Sequence, residues 1–338
     1  MHGWIILDKP LGLGSTQAVS AVKRALRQGG YGKAKVGHGG TLDPLASGVL
    51  PVAIGEATKL AGRMLDSDKV YEFTIGFGVE TDTLDGEGQA IATSDVRPTL
   101  AEVEAILPRF TGPIDQVPPA YSALKVDGER AYDLARAGEE VVLATRAVTV
   151  FSLNSSPGRG GRPAAPADGG GGSPLNASIE EGPLHHSPSA SGPPPRAGED
   201  LQEATLVAHV SKGTYIRSLA RDIAHALGTV GHVTYLRRTK AGPFDLSHAI
   251  SLDKLTESAT ARGLEQILLP LRAGLDDIPA LSLNPDQAGA LRQGRVLVGI
   301  AEDAHSKGGL HFAMLGETPV ALVEVESGEA RVVRGFNL

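Results

Sequence analysis

The sequence contains no cysteine. Disulfide bonds, thiolate nucleophiles and zinc or iron–sulfur sites with cysteine ligands are therefore excluded. Aromatic residues are also scarce, at 4% of the 338 residues, and tryptophan occurs once. All apolar residues together make up 41% of the chain, which is ordinary for a globular protein long enough to form two domains.

Long apolar runs are missing as well. The longest, residues 45–54, is far shorter than the roughly 20 residues that a membrane-spanning helix needs. The first ten residues, MHGWIILDKP, have no basic segment and reach Asp8, Lys9 and Pro10 too early for a signal peptide. We therefore expect a cytoplasmic protein with no membrane partner.

Several motifs of enzyme chemistry are absent. The sequence has no GxxxxGK[ST], no GxGxxG, no HExxH and no GxSxG, so nucleoside triphosphates, dinucleotides and zinc hydrolysis lose support. The acidic segment 79–88, VETDTLDGEG, lacks the spacing and the closing glutamate of a calcium loop and predicts a solvated turn. The adjacent His185 and His186 have no third ligand nearby. We expect no cofactor, no nucleotide and no metal.

Charge is unevenly distributed, although the net charge is −7. Residues 1–75 carry nine Lys and Arg against six Asp and Glu, and residues 205–245 carry six against two. Such local basic excess is compatible with a surface that binds a polyanion, but an excess this small also arises by chance.

Apolar periodicity predicts alternating strands and helices over most of the chain. Predicted strands lie at residues 4–7, 69–75, 147–153, 204–210 and 233–236, and predicted helices at 16–27, 100–110, 216–227 and 264–271, the first capped by Ser15. After residue 275 the texture changes to a short helix behind Pro285 and four strands, at 295–300, 310–315, 320–326 and 330–336. We expect a catalytic domain at 1–270 and a small β-rich domain at 275–338.

Residues 154–200 have a composition of their own. Of these 47 residues 26 are Gly, Pro or Ser, and none is aromatic. Such a segment buries too little apolar surface to offset its ordering entropy, so we predict a disordered insertion within the first domain. The cost of closing a loop grows only with the logarithm of its length, so the flanking strands can still pair.

Asp43 lies in the most distinctive stretch, GHGGTLDPLASGVLPVAIGEATKL, residues 37–60. Gly39 and Gly40 permit a close approach of the backbone, and Pro44 stiffens the chain after the acid. The apolar residues 45–54 then lead into a buried element that anchors the loop. The tripeptide LDP alone would favour a simple turn, but its surroundings predict a carboxylate presented to a ligand.

Further along the chain, other segments combine aromatic and basic residues in a fixed order. They are DSDKVYEF (66–73), QVPPAYSALKVDGERAYDLAR (116–136), SKGTYIRSLARDIA (211–224) and GHVTYLRRT (231–239). Together with residues 37–60 they closely resemble the TruB family of tRNA pseudouridine synthases, over most of residues 3–245. LDKPLGLGS (7–15) is similar to the family's opening motif, although Gly14 stands where threonine is more usual. The insertion is not part of the family pattern, and the match weakens after Leu246.

The resemblance implies an α+β pseudouridine synthase fold, with a mixed, largely antiparallel sheet and flanking helices. The tail is assigned as a PUA-like RNA-binding domain only by its position and strand content. The implied activity is the cofactor-free isomerisation of uridine 55 in the T arm of tRNA to pseudouridine, with the base flipped out of its stack. We expect tRNA as the partner and a monomeric enzyme.

The same resemblance implies roles for ten residues. Asp43 would be the catalytic carboxylate, Arg217 its cationic partner, and Tyr71 the ring that stacks on the target base and is a candidate for proton transfer. Leu236 would close the uracil pocket, His38 would lie at the flipped nucleotide, and Tyr215 would contact the RNA. The cations expected to meet phosphates are Lys9, Lys59, Arg237 and Arg238, and residues 116–136 would grip the arm.

Two alternatives remain open at this stage. One is a glycosidase-like hydrolase that uses Asp43 with a second carboxylate, although the central stretch has no second acid before Glu56. The other is a tRNA-binding protein or folding chaperone in which catalysis is incidental.

Overall fold

The structure is a computed structural model, and it describes residues 1–122, 124–126, 128–139, 141–156, 200–300 and 308–338. The strands are β1 (Gly3–Lys9), β2 (Val36–His38), β3 (Ala46–Ile54), β4 (Lys69–Phe77), β5 (Val79–Thr81), β6 (Ala90–Thr93), β7 (Gly112–Gln116), β8 (Lys125–Val126), β9 (Glu129–Arg130), β10 (Arg146–Ser155), β11 (Glu203–Val210), β12 (Gly231–Ala241), β13 (Phe244–Asp245), β14 (Leu269–Pro270), β15 (Ala280–Ser282), β16 (Leu297–Val298), β17 (Gly309–Leu315), β18 (Thr318–Glu326) and β19 (Glu329–Gly335).

The described residues contain fewer α-helices than strands. The α-helices are α1 (Ser15–Gln28), α2 (Ala61–Asp66), α3 (Leu100–Ile106), α4 (Ala131–Arg136), α5 (Ile216–Ala226), α6 (Leu252–Thr260) and α7 (Pro285–Arg292). Turns of 3₁₀ helix lie at Gly55–Leu60, Leu107–Phe110, Leu246–His248, Leu264–Ile267 and Leu271–Leu275.

The chain forms two compact units, and the first contains the Asp43 loop. It comprises Met1–Tyr71, His209–Lys212 and Leu236–Leu338. Its strands are ordered β14-β1-β3-β12, with β2 added on β3 and β13 on β12. β1 pairs antiparallel with β3, whereas β12 runs parallel to β3, so the sheet is mixed, as predicted. The apolar face of α1, which includes Ala18, Val22 and Leu26, packs in one core cluster with alternate residues of β1 and β3.

The first unit also contains a second sheet, formed by C-terminal residues. Its order is β15-β17-β18-β19-β16, and α7 packs against it. This sheet has its own core, but Leu322 and Phe336 also join the cluster that contains Trp4 and Ile6 of β1. The prediction of a β-rich tail is confirmed, and its independence as a domain from residue 275 stays a prediction.

The second unit comprises Glu72–Ala208 and Gly213–Tyr235. Its strands β4, β11, β10 and β7 are neighbours in that order, and β10 pairs antiparallel with β7. The predicted insertion begins inside β10, which continues to Ser155, and residues 157–199 lie outside the described part of the chain. The hypothesis that the insertion is disordered, and the two histidines within it, therefore fall on residues that the structure does not describe.

Three sequence-based predictions need correction. The backbone N-cap of α1 is Gly14 rather than Ser15, because the Ser15 hydroxyl bonds the backbone of Leu42 instead. The predicted helix at 264–271 is two 3₁₀ turns interrupted by β14. The strand predicted at 233–236 is longer and places Arg237 and Arg238 within β12 rather than beyond its end.

Candidate active site

Asp43 lies in a short loop between β2 and β3, and its side chain is exposed. The neighbouring residues fix its backbone. Leu42 is buried and exchanges two hydrogen bonds with the Ser15 hydroxyl, at 2.8 and 2.9 Å. The Gly12 amide donates to the Pro44 carbonyl at 2.8 Å, and the Ala46 amide donates to the Asp43 carbonyl at 3.0 Å. The carboxylate is thus presented from a loop that is held on both sides.

The glycines before Asp43 are required by local geometry. Gly40 has a backbone φ of +129°, a conformation that residues with a side chain rarely adopt. A Cβ on Gly39 would lie 2.4 Å from Cβ of Met64. The loop therefore depends on glycine at both positions, as its sequence suggested.

Lys9 and Arg238 do not have the predicted environment. Lys9 is 0% exposed and Arg238 is 1% exposed. The Lys9 ammonium donates to the carbonyls of Pro10 and Leu13, at 2.9 and 2.6 Å. Arg238 donates to the carbonyls of Val49, Thr41 and Gly40, at 2.8, 3.1 and 3.3 Å. Both cations are enclosed by protein, which argues against contact with RNA phosphates; that expected role stays a prediction.

The charge of Lys9 is affected by this enclosure. Burial lowers the pKa of Lys9 to about 8; the nearby Asp43 carboxylate opposes this shift, and Arg238 adds to it. Lys9 is therefore a cation at neutral pH that lies within electrostatic reach of the Asp43 carboxylate.

Lys59 and Arg237, the other two expected phosphate contacts, are partly exposed and already paired. The Lys59 ammonium lies 2.6 Å from Glu56 Oε2 and donates to the Gly335 carbonyl at 2.8 Å. Arg237 donates to Asp8 Oδ2 at 2.8 Å. Successive residues of a strand point to opposite faces, so Arg237 and Arg238 cannot act on the same side of β12.

Tyr71 and Leu236 contribute an apolar wall. Both are half-buried and pack against the core cluster that includes Leu42, the residue before Asp43. Leu236 also lies directly opposite Ala46 in the parallel pairing of β12 with β3. Within the first unit the structure therefore brings Tyr71 and Leu236 onto the same apolar cluster as the Asp43 loop.

His38 ends β2 and is half-buried. Its Nδ1 atom is buried and has no hydrogen-bond partner among the described residues. Burial lowers the pKa of His38, and the charge of Arg238 lowers it further. The ring is therefore neutral at physiological pH, and its Nδ1 is enclosed without a partner in the described part of the chain.

Arg217 belongs to the second unit, in the first turn of α5. Its guanidinium donates to Asp85 Oδ2 and to the carbonyls of Thr83 and Tyr121, at 3.0, 2.8 and 3.0 Å. Asp85 is 7% exposed, so the prediction that residues 79–88 form a solvated turn is wrong at this acid.

No group of three or more His, Asp or Glu side chains in the described ranges could hold a metal ion.

Tyr215 precedes α5 and is held through its backbone. The Gln116 side chain accepts a hydrogen bond from the Tyr215 amide at 2.7 Å and donates one to the Tyr215 carbonyl at 3.0 Å. Gln116 is 1% exposed. Gln116 was expected only as part of the arm-gripping segment 116–136. Asp85 was not expected at the site, because an acid in a Gly-rich turn resembles a surface residue until its burial is known.

The pairing of Asp43 with Arg217 stays a prediction. The sequence-predicted residues are distributed over both units: Asp43, Tyr71, His38, Lys9, Lys59, Leu236, Arg237 and Arg238 lie in the first, and Tyr215 and Arg217 in the second. In the described part of the chain, no helix is both long and apolar enough to cross a membrane.

Solved structures of similar fold cover nearly the whole chain. The structure of an H/ACA RNP bound to a substrate RNA containing 2′-deoxyuridine has a chain that matches with a TM-score of 0.66 at 22% identity, over 99% of this chain and 85% of the other. The crystal structure of a Cbf5-Nop10-Gar1 complex matches with a TM-score of 0.63 at 23% identity, over 99% and 84%. These similarities show the fold, which is the pseudouridine synthase fold with a C-terminal β half-barrel domain.

Sequence comparisons give the family. Residues 27–159 match "TruB family pseudouridylate synthase (N terminal domain)", and residues 217–276 match "tRNA pseudouridylate synthase B C-terminal domain". The chain is 60% identical to tRNA pseudouridine synthase B of Novosphingobium aromaticivorans and 56% identical to that of Zymomonas mobilis. All of this chain is covered in both matches, with 98% and 96% of the relatives. The chain therefore belongs to the TruB family of tRNA pseudouridine synthases and is an isomerase.

Proposed function

We propose that this enzyme converts uridine 55 in the T arm of tRNA to pseudouridine, acting as a cytoplasmic monomer without a cofactor, with Asp43 as the catalytic carboxylate. The observation that carries the proposal is the Asp43 loop. It combines an exposed carboxylate, a backbone held on both sides and an adjoining apolar wall that contains Tyr71 and Leu236.

The reaction breaks the bond between the ribose carbon and uracil N1, turns the base, and forms a bond from the same ribose carbon to uracil C5. A proton leaves C5 and one is taken up at N1, so atoms balance and no oxidant or reductant is consumed. A carboxylate, ionised at neutral pH, can act as the nucleophile or accept the proton. Both possibilities are consistent with Asp43, and the proposal requires only that its carboxylate is essential.

Access to the base requires that the uridine leave its stack, at a cost of a few kcal/mol. Tyr71 supplies a ring on which the flipped base can stack, and stacking on an aromatic side chain contributes about 1–3 kcal/mol. Leu236 closes the apolar side of the pocket. His38, neutral and with Nδ1 unpartnered in the described structure, is suited to a hydrogen bond with the flipped nucleotide or its neighbours.

Arg217 is proposed as the cation that pairs with the Asp43 carboxylate and keeps it oriented. The hydrogen bonds to Asp85, Thr83 and Tyr121 fix part of its guanidinium, which supports a positioning role in place of a mobile surface cation. Tyr215, Lys59 and Arg237 are proposed as RNA contacts, because their side chains are partly exposed.

The test uses unmodified tRNA labelled with tritium at C5 of its uracils. Wild type should release tritium equivalent to one uridine per tRNA, and Asp43→Asn should release none. A matched transcript with cytidine at position 55 should also release none. Release from that transcript would overturn the assignment to position 55. Free uracil would indicate hydrolysis, and RNA binding without release would indicate a chaperone.

A further inference from the structure

Arg238 links the loop that carries Asp43 to the strand that follows it. Its Nη atoms donate to the carbonyls of Gly40 and Thr41, in the loop before Asp43, and its Nε donates to the carbonyl of Val49, within β3. A single side chain therefore holds the first part of the loop against β3. Arg238 is 197 residues away from Thr41 in sequence, so nothing local to the loop supplies this link.

The backbone of Arg238 also contacts β3, the strand that follows the loop. Arg238 pairs with Gly48 in the parallel alignment of β12 with β3. Gly48 has φ of +103°, and a Cβ there would lie 2.2 Å from the Arg238 carbonyl oxygen. The close approach of these two backbones fixes where the guanidinium begins, and its hydrogen bonds then fix the loop.

The energetics favour a specific role for this side chain. Burying a guanidinium is costly unless its donors are satisfied, and removing the partner of buried polar groups costs about 1–3 kcal/mol each. Here the planar guanidinium of Arg238 donates hydrogen bonds to three backbone carbonyls. Lysine has a single ammonium nitrogen and cannot reach three acceptors that lie in the loop and in β3.

A role in phosphate binding does not fit this environment. Arg238 is 1% exposed, whereas phosphate contacts in RNA complexes come from side chains that reach the surface. Its charge instead acts inside the protein, where it contributes to the lowered pKa of both Lys9 and His38.

We propose that Arg238 is a positioning residue for the isomerisation, and that it sets the location of the Asp43 carboxylate by holding Gly40, Thr41 and Val49. This proposal rests on the proposed function, because it assumes that Asp43 is the catalytic carboxylate. Its consequence is that loss of Arg238 reduces the chemical step while RNA affinity is retained.

The experiment compares Arg238→Lys, which keeps the charge, and Arg238→Met, which keeps the apolar length, with a matched control. Arg97 is the control, because it also donates to backbone carbonyls, those of Ser94 and Val96, but belongs to the other unit and touches no proposed site residue. Tritium release is measured in single turnover with excess enzyme, together with the Kd for tRNA and thermal unfolding.

Both Arg238 variants should react about 100-fold more slowly in single turnover, since a misplacement of about 1 Å can cost that much. The Kd for tRNA should stay within about twofold of wild type. Arg97→Lys should lower the unfolding temperature without lowering the single-turnover rate of the folded protein.

Three results would overturn the proposal. Unchanged single-turnover rates in folded Arg238 variants would show that the residue only stabilises the fold. A weaker Kd with a salt dependence reduced by about one phosphate contact would show an RNA-binding role. Failure of both variants to fold would assign Arg238 to global stability. Inactivity of wild type, or activity of Asp43→Asn, would instead contradict the proposed function itself.

Discussion

The charged groups of the site are held by neighbours that lie far away in sequence. Arg217 illustrates this, because its guanidinium is bound by Asp85, by the Thr83 carbonyl and by the Tyr121 carbonyl. Asp85 is placed by a turn in which Leu84 has φ of +62°, an uncommon conformation for a non-glycine residue. Leu84 is nevertheless buried, and its carbonyl accepts a hydrogen bond from the Val233 amide. The turn therefore fixes Asp85, and Asp85 fixes Arg217.

Substitution Asp85→Asn should reduce the single-turnover rate of tritium release by about 10- to 100-fold. The change removes a charge-assisted hydrogen bond to Arg217, and such bonds contribute about 1.5–3 kcal/mol. Affinity for tRNA should change little. Glu87→Gln, an exposed acid of the same turn, is the control and should react like wild type. Equal rates for the Asp85 and Glu87 variants would refute the role of Asp85.

At the scale of elements, buried polar side chains fix the ends of helices. The Lys69 ammonium donates to the carbonyls of Met64 and Leu65, at 2.8 and 2.7 Å, and to that of Ser67, so it satisfies the C-terminus of α2. Lys69 is 7% exposed. Burial, together with the charge of Arg238, lowers the pKa of Lys69 to about 8.

This lowered pKa predicts a pH dependence of stability. Above about pH 8 native Lys69 loses its proton, whereas the unfolded chain retains it up to its ordinary pKa of 10.5. The unfolded state therefore binds more protons in this window, and the free energy of unfolding rises with pH. Lys69→Met should be less stable overall, because the helix end loses its donor, but its stability should rise less steeply between pH 8 and 10.

Denaturant unfolding at several pH values measures the difference in slope, which should approach 1.36 kcal/mol per pH unit. Lys240→Met is the control, because Lys240 is an exposed lysine. It should have the wild-type slope. Parallel pH profiles for wild type and Lys69→Met would contradict the prediction.

At the scale of the whole molecule, the C-terminal sheet shares a buried cluster with the sheet that contains β1 in the same unit. Phe336 and Leu322 pack in one cluster with Trp4 and Ile6. The Asn337 amide also donates to Glu56 Oε2 at 2.8 Å. The β-rich C-terminal residues therefore contribute side chains to the core that contains Trp4 and Ile6 of β1.

Phe336→Ala should lower the free energy of unfolding by about 3 kcal/mol or more, as is usual for a buried phenylalanine. Val333→Ala is the control, since Val333 is 54% exposed in β19, which ends just before Phe336, and it should change stability by about 0.5 kcal/mol or less. The measurement is chemical unfolding followed by Trp4 fluorescence, because Trp4 lies in the shared cluster. Equal effects of the two substitutions would show that Phe336 is not part of this core.

The insertion can be tested at the same scale. Near its start, the Ser156 amide donates to the Thr205 carbonyl at 2.9 Å, and just after its end, the Leu201 amide donates to the Pro98 carbonyl at 2.8 Å. Replacement of residues 158–198 by a flexible linker of about eight residues should leave tritium release nearly unchanged, since loop closure depends weakly on length. A large loss of rate in a variant with the wild-type unfolding temperature would show that the insertion takes part in turnover.

Much of the secondary structure could be predicted from sequence. The strands at 69–75, 147–153 and 204–210 lie within β4, β10 and β11. In each of these segments apolar residues alternate with polar ones, and this signal lies entirely within the segment itself. The segment 264–271 was harder, because β14 pairs with Gly3 and Trp4 of β1, and a distant partner of this kind leaves no periodic signal in the segment itself.

The sequence by itself determined which residue is proposed as the catalytic carboxylate. Gly39, Gly40, Asp43 and Pro44 specify an exposed carboxylate on a shaped loop, and the missing cysteine and cofactor motifs leave few other reagents. These features are local, since glycine and proline restrict or free the backbone wherever they occur.

Only the tertiary structure decided which charges face solvent. Lys9 and Arg238 have the composition of a basic surface but are enclosed among backbone carbonyls, and Asp85 is enclosed beside Arg217. Burial of a charge depends on groups that the fold brings from as far as 198 residues away. The sequence does not distinguish a solvated charged residue from a buried one. The role of such a residue therefore follows from packing and not from its neighbours along the chain.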